Sequence, residues 1–363
     1  MLFEFIAGAR APLATGSEKG MAGTGMMLCQ VDSEDVEDTP RRQFIHCEWA
    51  PDGTEGYDDD GVIGTVGLSD DRGYFQLLRL GKNDSTFFRV STNHKDFPPR
   101  DDGSPGHAWD SRPWSQFGFV PGGRGAVVFL QWQSNTVLWA RLSRRTAQPV
   151  ARLGGHEQRV RVVCVDKAGE YAASGSDDGA VKLWRMASLS AAGAHEAAHT
   201  GAVTALHFLG GNLFSAGSDQ RVCSWDVASG AAVAEFRTHA SPLLDLTSST
   251  AAASGDGSEL FGGHADGTVS VWSLDTQTLV RSVPSQTGTC AVLSVAAAPA
   301  GDLVAVGQLD GTLSAHKGGA DGPAMAGELI GNCELASAVV CVGFQPAGQR
   351  GTPTRLSESP SRN

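Results

Sequence analysis

The chain has 363 residues, and 40 Asp and Glu against 28 Lys and Arg give it a formal net charge of −12. That balance excludes a surface built to track nucleic-acid phosphates, which requires clustered Lys and Arg, and no nucleic acid is expected as a partner. No run of 18 apolar residues occurs, so no membrane insertion is expected, and the length alone allows either two domains or one large all-β domain.

The first elements are two apolar strand patterns, LFEFIA at 2–7 and MMLCQV at 26–31, separated by glycine-rich chain. The opening MLFEFIAG lacks a basic flank and carries Glu4, which reads poorly as a secretory or transit signal. Acidic runs follow, DSEDVED at 32–38 and DDD at 58–60; they read as solvated loops, with a basic peptide or tail as a candidate partner. Seven cysteines, at 29, 47, 164, 223, 290, 333 and 341, are odd in number and never spaced C-x-x-C. They signal neither a disulfide framework nor a cysteine zinc site, and they fit a reducing compartment, the cytoplasm or the nucleus.

Further along, one turn phrase recurs after an apolar strand, x-Pro-x-Gly, as APDG at 50–53, VPGG at 120–123, APAG at 298–301 and QPAG at 345–348. A polar insertion at 91–113 contains FPPRDDGSPGHAW at 97–109. A second phrase then returns four times, SDDGAVKLW at 176–184, SDQRVCSW at 218–225, ADGTVSVW at 265–272 and LDGTLSAH at 309–316. Asp-Gly supplies the positive φ of a tight hairpin turn, and the alternation after it is that of a half-buried strand. In every copy an Asp precedes an aromatic ring by six positions, and the rings Trp139, Trp184, Trp225, Trp272 and His316 lie 45, 41, 47 and 44 residues apart. That is the period of a four-stranded propeller blade, roughly 40 to 45 residues.

On these residues the chain resembles the WD40 repeat family. His156, Ser174, Asp178 and Trp184 match one repeat's signature, and His199, Ser215, Asp219 and Trp225 match the next. The resemblance implies that each set forms a buried hydrogen-bonded tetrad whose role is structural. It also implies an all-β fold, a seven-bladed propeller with four antiparallel strands per blade. The blades are expected at about 43–95, 107–150, 154–190, 199–235, 239–283 and 288–320. The last would be built from both chain ends, 333–347 with 1–31, which gives one propeller over 1–347 and a flexible tail at 348–363.

One motif points elsewhere. His195-Glu-Ala-Ala-His199 is the H-E-x-x-H pattern in which a helix presents two zinc ligands and a general base. The repeat, however, uses His199 itself, and the positions where an extended zinc motif needs Gly and His hold Ala202 and Ala205. No nucleophile elbow and no phosphate loop occur, so no catalytic residue, metal or cofactor is expected.

The leading functional expectation is therefore a non-catalytic scaffold or adaptor in a larger assembly, binding other proteins. Phe97, Arg100, Trp109 and Trp114, in and beside the 91–113 insertion, are of the types enriched at interface hot spots. A substrate receptor of a ubiquitin ligase is the narrower alternative, although Trp225-Asp226-Val227-Ala228 lacks the basic residue of the W-D-x-[RK] motif sought there. A zinc peptidase using 195–199 is the third.

Overall fold

The computed structural model describes residues 2–7, 26–31, 44–51, 62–70, 75–81, 85–92, 114–122, 126–131, 135–143, 146–195, 198–237, 241–250, 258–284, 290–298, 303–317, 328–334, 339 and 341–344. Near the start lie β1 (Leu2–Ala7) and β2 (Met26–Val31). Six four-stranded units follow. The first holds β3 (Phe44–Trp49), β4 (Val62–Asp70), β5 (Phe75–Gly81) and β6 (Ser85–Thr92). The second holds β7 (Trp114–Val120), β8 (Ala126–Gln131), β9 (Val137–Ser143) and β10 (Thr146–Leu153). In the third are β11 (Val160–Val165), β12 (Tyr171–Ser176), β13 (Val181–Arg185) and β14 (Ser190–His195), and in the fourth β15 (Val203–Leu209), β16 (Asn212–Gly217), β17 (Arg221–Asp226) and β18 (Ala232–Arg237). The fifth comprises β19 (Leu243–Thr250), β20 (Ser258–His264), β21 (Thr268–Ser273) and β22 (Thr278–Pro284), and the sixth β23 (Val292–Ala297), β24 (Leu303–Gln308), β25 (Thr312–Lys317) and β26 (Glu328–Glu334). A two-residue strand, β27 (Gly343–Phe344), ends the described chain.

Each unit is an antiparallel meander, so its first strand lies innermost and its fourth outermost. The innermost strands β3, β7, β11, β15, β19 and β23 contact one another in sequence, and β27 touches both β23 and β3. The architecture is a β-propeller. Its apolar clusters form between units rather than within them. Val162, Ala173, Val181 and Leu183 of the third unit meet Val203, Leu206 and Leu213 of the fourth, whose Ala205, Phe214 and Val222 in turn meet Leu243, Leu246 and Leu260 of the fifth. Because both faces of a blade are covered, β12 and β24 are buried almost without alternation.

Among the described residues the expected seventh blade is not formed, and six blades are present. The chain ends make a three-stranded sheet in the order β1-β2-β27, in which β1 and β2 pair in parallel, Leu2 with Met26 through Ala7 with Val31. A blade meander requires antiparallel hairpins, whereas the long connection through residues 8–25 lets the chain return for parallel pairing. On the other side, β27 joins β2 at only two positions, Met26 with Phe344 and Met27 with Gly343. Cys333, the expected start of the composite blade, falls inside β26, the fourth strand of the sixth blade. The first two blades also share an edge: β6 and β10 pair in parallel through Ser91 with Thr146 and Thr92 with Ala147, which merges them into one eight-stranded sheet.

Every innermost strand carries a register shift at the same place against its second strand, between Phe44 and His46, Trp114 and Gln116, Val160 and Val162, Val203 and Ala205, Leu243 and Asp245, and Val292 and Ser294. Such a bulge bends the strand and re-aims the next side chain. Close blade contact also demands glycine in the second strand. A Cβ on Gly175 would overlap Val203 of the next blade as well as Val162 of its own. Gly175→Ala is expected to lower stability by about 1–3 kcal/mol, the cost of overpacking a tight interface, read from the shift of the urea midpoint.

Candidate functional site

In an antiparallel meander the turn between the second and third strands lies at the same end as the connector to the next blade. One end of the ring therefore gathers the turns containing Asp178, Asp219, Asp266 and Asp310 together with the inter-blade connectors. Three of these turns close on glycine at positive φ, Gly179, Gly267 and Gly311, while Gln220 takes that place in the fourth blade at φ 67°.

Beneath this end lie the hydrogen-bonded tetrads. In the third blade Trp184 Nε1 donates to Ser174 Oγ at 2.9 Å, Ser174 Oγ lies 2.8 Å from His156 Nε2, and His156 Nδ1 lies 3.3 Å from Asp178 Oδ2. The fourth repeats it: Trp225 Nε1 to Ser215 Oγ at 3.0 Å, Ser215 to His199 Nε2 at 2.8 Å, and His199 Nδ1 to Asp219 Oδ1 at 2.9 Å. Burial, opposed by Asp219, holds the His199 imidazole below its ordinary pKa. A neutral ring then leaves one consistent arrangement of protons: indole N–H to serine oxygen, serine O–H to Nε2, Nδ1–H to carboxylate.

Burial resists ionisation of Asp219, but the bonds from Thr200 N–H and His199 and the pairing with Arg221 outweigh it and hold the carboxyl at about 2. The depressed value fixes the sign of the pH effect. Asp219 contributes its full stabilisation above the unfolded carboxyl pKa of about 4 and loses it as pH falls toward about 2. Asp219→Ala strands His199 Nδ1–H, the Thr200 N–H and the Arg221 guanidinium together, and is expected to cost about 3 kcal/mol. Urea titrations between pH 2 and 7 should show the wild type losing stability below pH 4 and a flatter profile for the variant.

The fifth blade departs from this pattern. Gly262 stands where the serine belongs, its missing Cβ filled by Leu243 and the Trp272 ring, and the fully buried Trp272 Nε1 has no hydrogen-bond partner. His264 takes over part of the network, with Nε2 at 2.8 Å from Ser270 Oγ and Nδ1 at 3.1 Å from the Ser241 carbonyl. The repeat period does not mark His264; the glycine at 262 is the signal that the network must be rerouted. His239, which the period places ahead of this blade, lies outside the described residues. In the sixth blade His316 Nε2 meets Ser314 Oγ at 3.0 Å. Trp184→Phe should therefore cost about 1 kcal/mol more than Trp272→Phe in the same denaturation assay, since only the former removes an indole hydrogen bond.

The geometry bears directly on 195–199. His195 ends strand β14 rather than sitting on a helix, and its ring stacks on Trp225 with centroids 4.0 Å apart and planes at 22°. Both nitrogens of His199 are engaged within the blade. Glu196 lies outside the described residues. Among the described residues, no three His, Cys, Asp or Glu side chains come together as a metal site, and no helix is long and apolar enough to cross a membrane.

Of the interface candidates, Phe97, Arg100 and Trp109 lie outside the described residues, as do both acidic runs. Trp114 opens β7. The insertion that carries the first three leaves from β6, whose last residues Ser91 and Thr92 are held against β10, and enters the second blade on the Asp-turn end.

A family model described as "WD domain, G-beta repeat" matches residues 147–185 and 194–226, which contain the two complete tetrads. The chain is a WD40-repeat β-propeller. The fold of this propeller is shared with solved structures. One titled "Structure of U3-55K" is 16% identical, with a TM-score of 0.62 over 83% of this chain and 87% of that one. Another, from "Crystal Structure of Mitotic Checkpoint Complex", is 17% identical, with a TM-score of 0.53 over 73% and 71%. Comparison with curated protein sequences finds no significant match. WD40 propellers bind other proteins and are in general non-catalytic.

Proposed function

We propose that this propeller is a non-catalytic adaptor that holds partner proteins on its Asp-turn end within a larger assembly. The observation that carries the reading is the conversion of the family's polar signature residues into structure. His156, Ser174, Asp178 and Trp184, like their counterparts in the fourth blade, spend their hydrogen-bonding capacity inside the blade, which leaves a rigid frame presenting loops. A structural neighbour drawn from a structure titled as a multi-protein complex supports the same reading.

The 91–113 insertion, with Phe97, Arg100, Trp109 and the adjoining Trp114, supplies the aromatic and Arg anchors that such contacts favour. A ubiquitin-ligase receptor role gains less support. The Trp225-Asp226 pair lacks the following basic residue, and Asp226 is committed to its own turn through Ser229 N–H at 2.7 Å. Affinity purification of the tagged protein, beside a variant with 92–112 replaced by Gly and Ser, tests the proposal. A stoichiometric partner set lost from the variant is expected; an identical set recovered with both proteins would remove the loop, and an intact protein recovered alone would remove the adaptor reading.

A further inference from the structure

The residue that follows each bulge on an innermost strand does something the tetrads do not: it reaches the backbone of the neighbouring inner segment. His46 Nε2 donates to the Phe117 carbonyl at 3.1 Å. Gln116 Oε1 accepts from Val163 N–H at 3.4 Å, Asp245 Oδ2 from Val295 N–H at 2.8 Å, and Ser294 Oγ from Val342 N–H at 3.1 Å. Each target is the residue immediately after the next unit's own reaching position. Four different side chains thus make one kind of contact, and two apolar residues, Val162 and Ala205, interrupt the series where the third blade packs on the fourth and the fourth on the fifth.

The last link closes the circle. Cys341, half-buried and unpaired as a thiol, precedes the latched Val342 as Gln116 precedes Phe117, and its Sγ lies 3.2 Å from Cys47 N and 3.1 Å from Cys47 O. The thiol accepts from one group and donates to the other, so it joins the end of the described chain to β3 across 294 positions. Among the described residues, strand pairing at this junction is short: the closing strand β27 is two residues long and meets β2 at two positions.

We infer that the propeller is closed by a thiol latch, Cys341 on the backbone of Cys47, and that this seam is where the ring opens when the thiol is altered. The reason is local. Thiol hydrogen bonds are weak, but here both are made by one atom at a junction that, among the described residues, is spanned by the two-residue β27, whereas the other inter-blade junctions are spanned by full-length inner strands. An S-alkylated Cys341 has no S–H to donate and carries added bulk into the contact.

Native-state hydrogen exchange tests the latch. Wild type and Cys341→Ser, whose hydroxyl can both accept and donate, are compared before and after iodoacetamide, with fourth-blade peptides covering 203–237 as the internal reference. Alkylation is expected to raise exchange at least tenfold at 44–49 and 341–344 in the wild type while leaving Cys341→Ser unchanged. Because Cys47 remains in the serine variant, its alkylation is controlled for. Unfolding of the whole alkylated wild type, with the alkylated serine variant intact, supports the same conclusion. Equal exchange at the seam in both alkylated proteins overturns it, as does a Cys341→Ala variant with wild-type exchange at 44–49.

Discussion

A four-stranded antiparallel sheet has two apolar faces and cannot cover either by itself, and this constraint organises the molecule. Val160 and Val163 face the second blade while Val162, Val181 and Leu183 face the fourth, so each blade is half of two interfaces. Stability is therefore a property of neighbours. The glycines at 175, 263 and 307 belong to this economy of space: a Cβ at each would strike Val203, Val292 or Val339 of the next inner segment, so the valine fills the room the missing side chain leaves.

Polar groups are admitted to this apolar stack only where their bonding is complete. In the third and fourth blades the indole, hydroxyl, imidazole and carboxylate form one chain that begins with a donor and ends with a largely covered charge at the turn, and the charge is stabilised by backbone N–H groups of the connector, Glu157 and Thr200. The tetrads thereby tie each connector to its turn, which positions the loops that present the Asp-turn end. The inner strands make different use of carboxyls. Burial pushes Asp245 up to about 6 and Glu48 up to about 8, although each accepts a backbone N–H from the next blade, Val295 and Phe119 respectively. Charge is tolerated at the blade turns and resisted along the inner strands.

Legibility in the sequence followed local chemistry. The Asp-turn phrases and their ring spacing mark the hairpins around Asp178, Asp219, Asp266 and Asp310, because a tight turn and an alternating strand each need particular residue types within a few positions. What requires distant partners left no such trace. Gly262 and His264 look like an interrupted strand until Leu243 and Ser270 are seen against them, and the bulge before Asp245 is invisible in SPLLDL because a register shift is a relation between two strands. The chain ends show the same limit. Alternating apolar residues at 2–7 and 26–31 indicate strands but not the direction in which they pair, and parallel pairing changed an expected antiparallel blade into a three-stranded sheet. Phe97, Arg100, Trp109 and Trp114 are legible by residue type, in and beside the insertion that leaves β6 and enters β7.

The stretch 195–199 shows why spacing without context misleads. H-E-x-x-H acquires chemical meaning on a helix, where residues four apart share a face; on a strand, and in the turn that follows it, the same spacing separates them. Here a bond from Ala198 N–H to the His195 carbonyl turns the chain, and His199 N–H reaches back to the Gly179 carbonyl of the preceding blade. One histidine is thereby stacked on Trp225 and the other locked between Ser215 and Asp219. The His195 imidazole serves the junction of the third and fourth blades, and a metal could recruit His199 only by dismantling the tetrad that holds the fourth blade together.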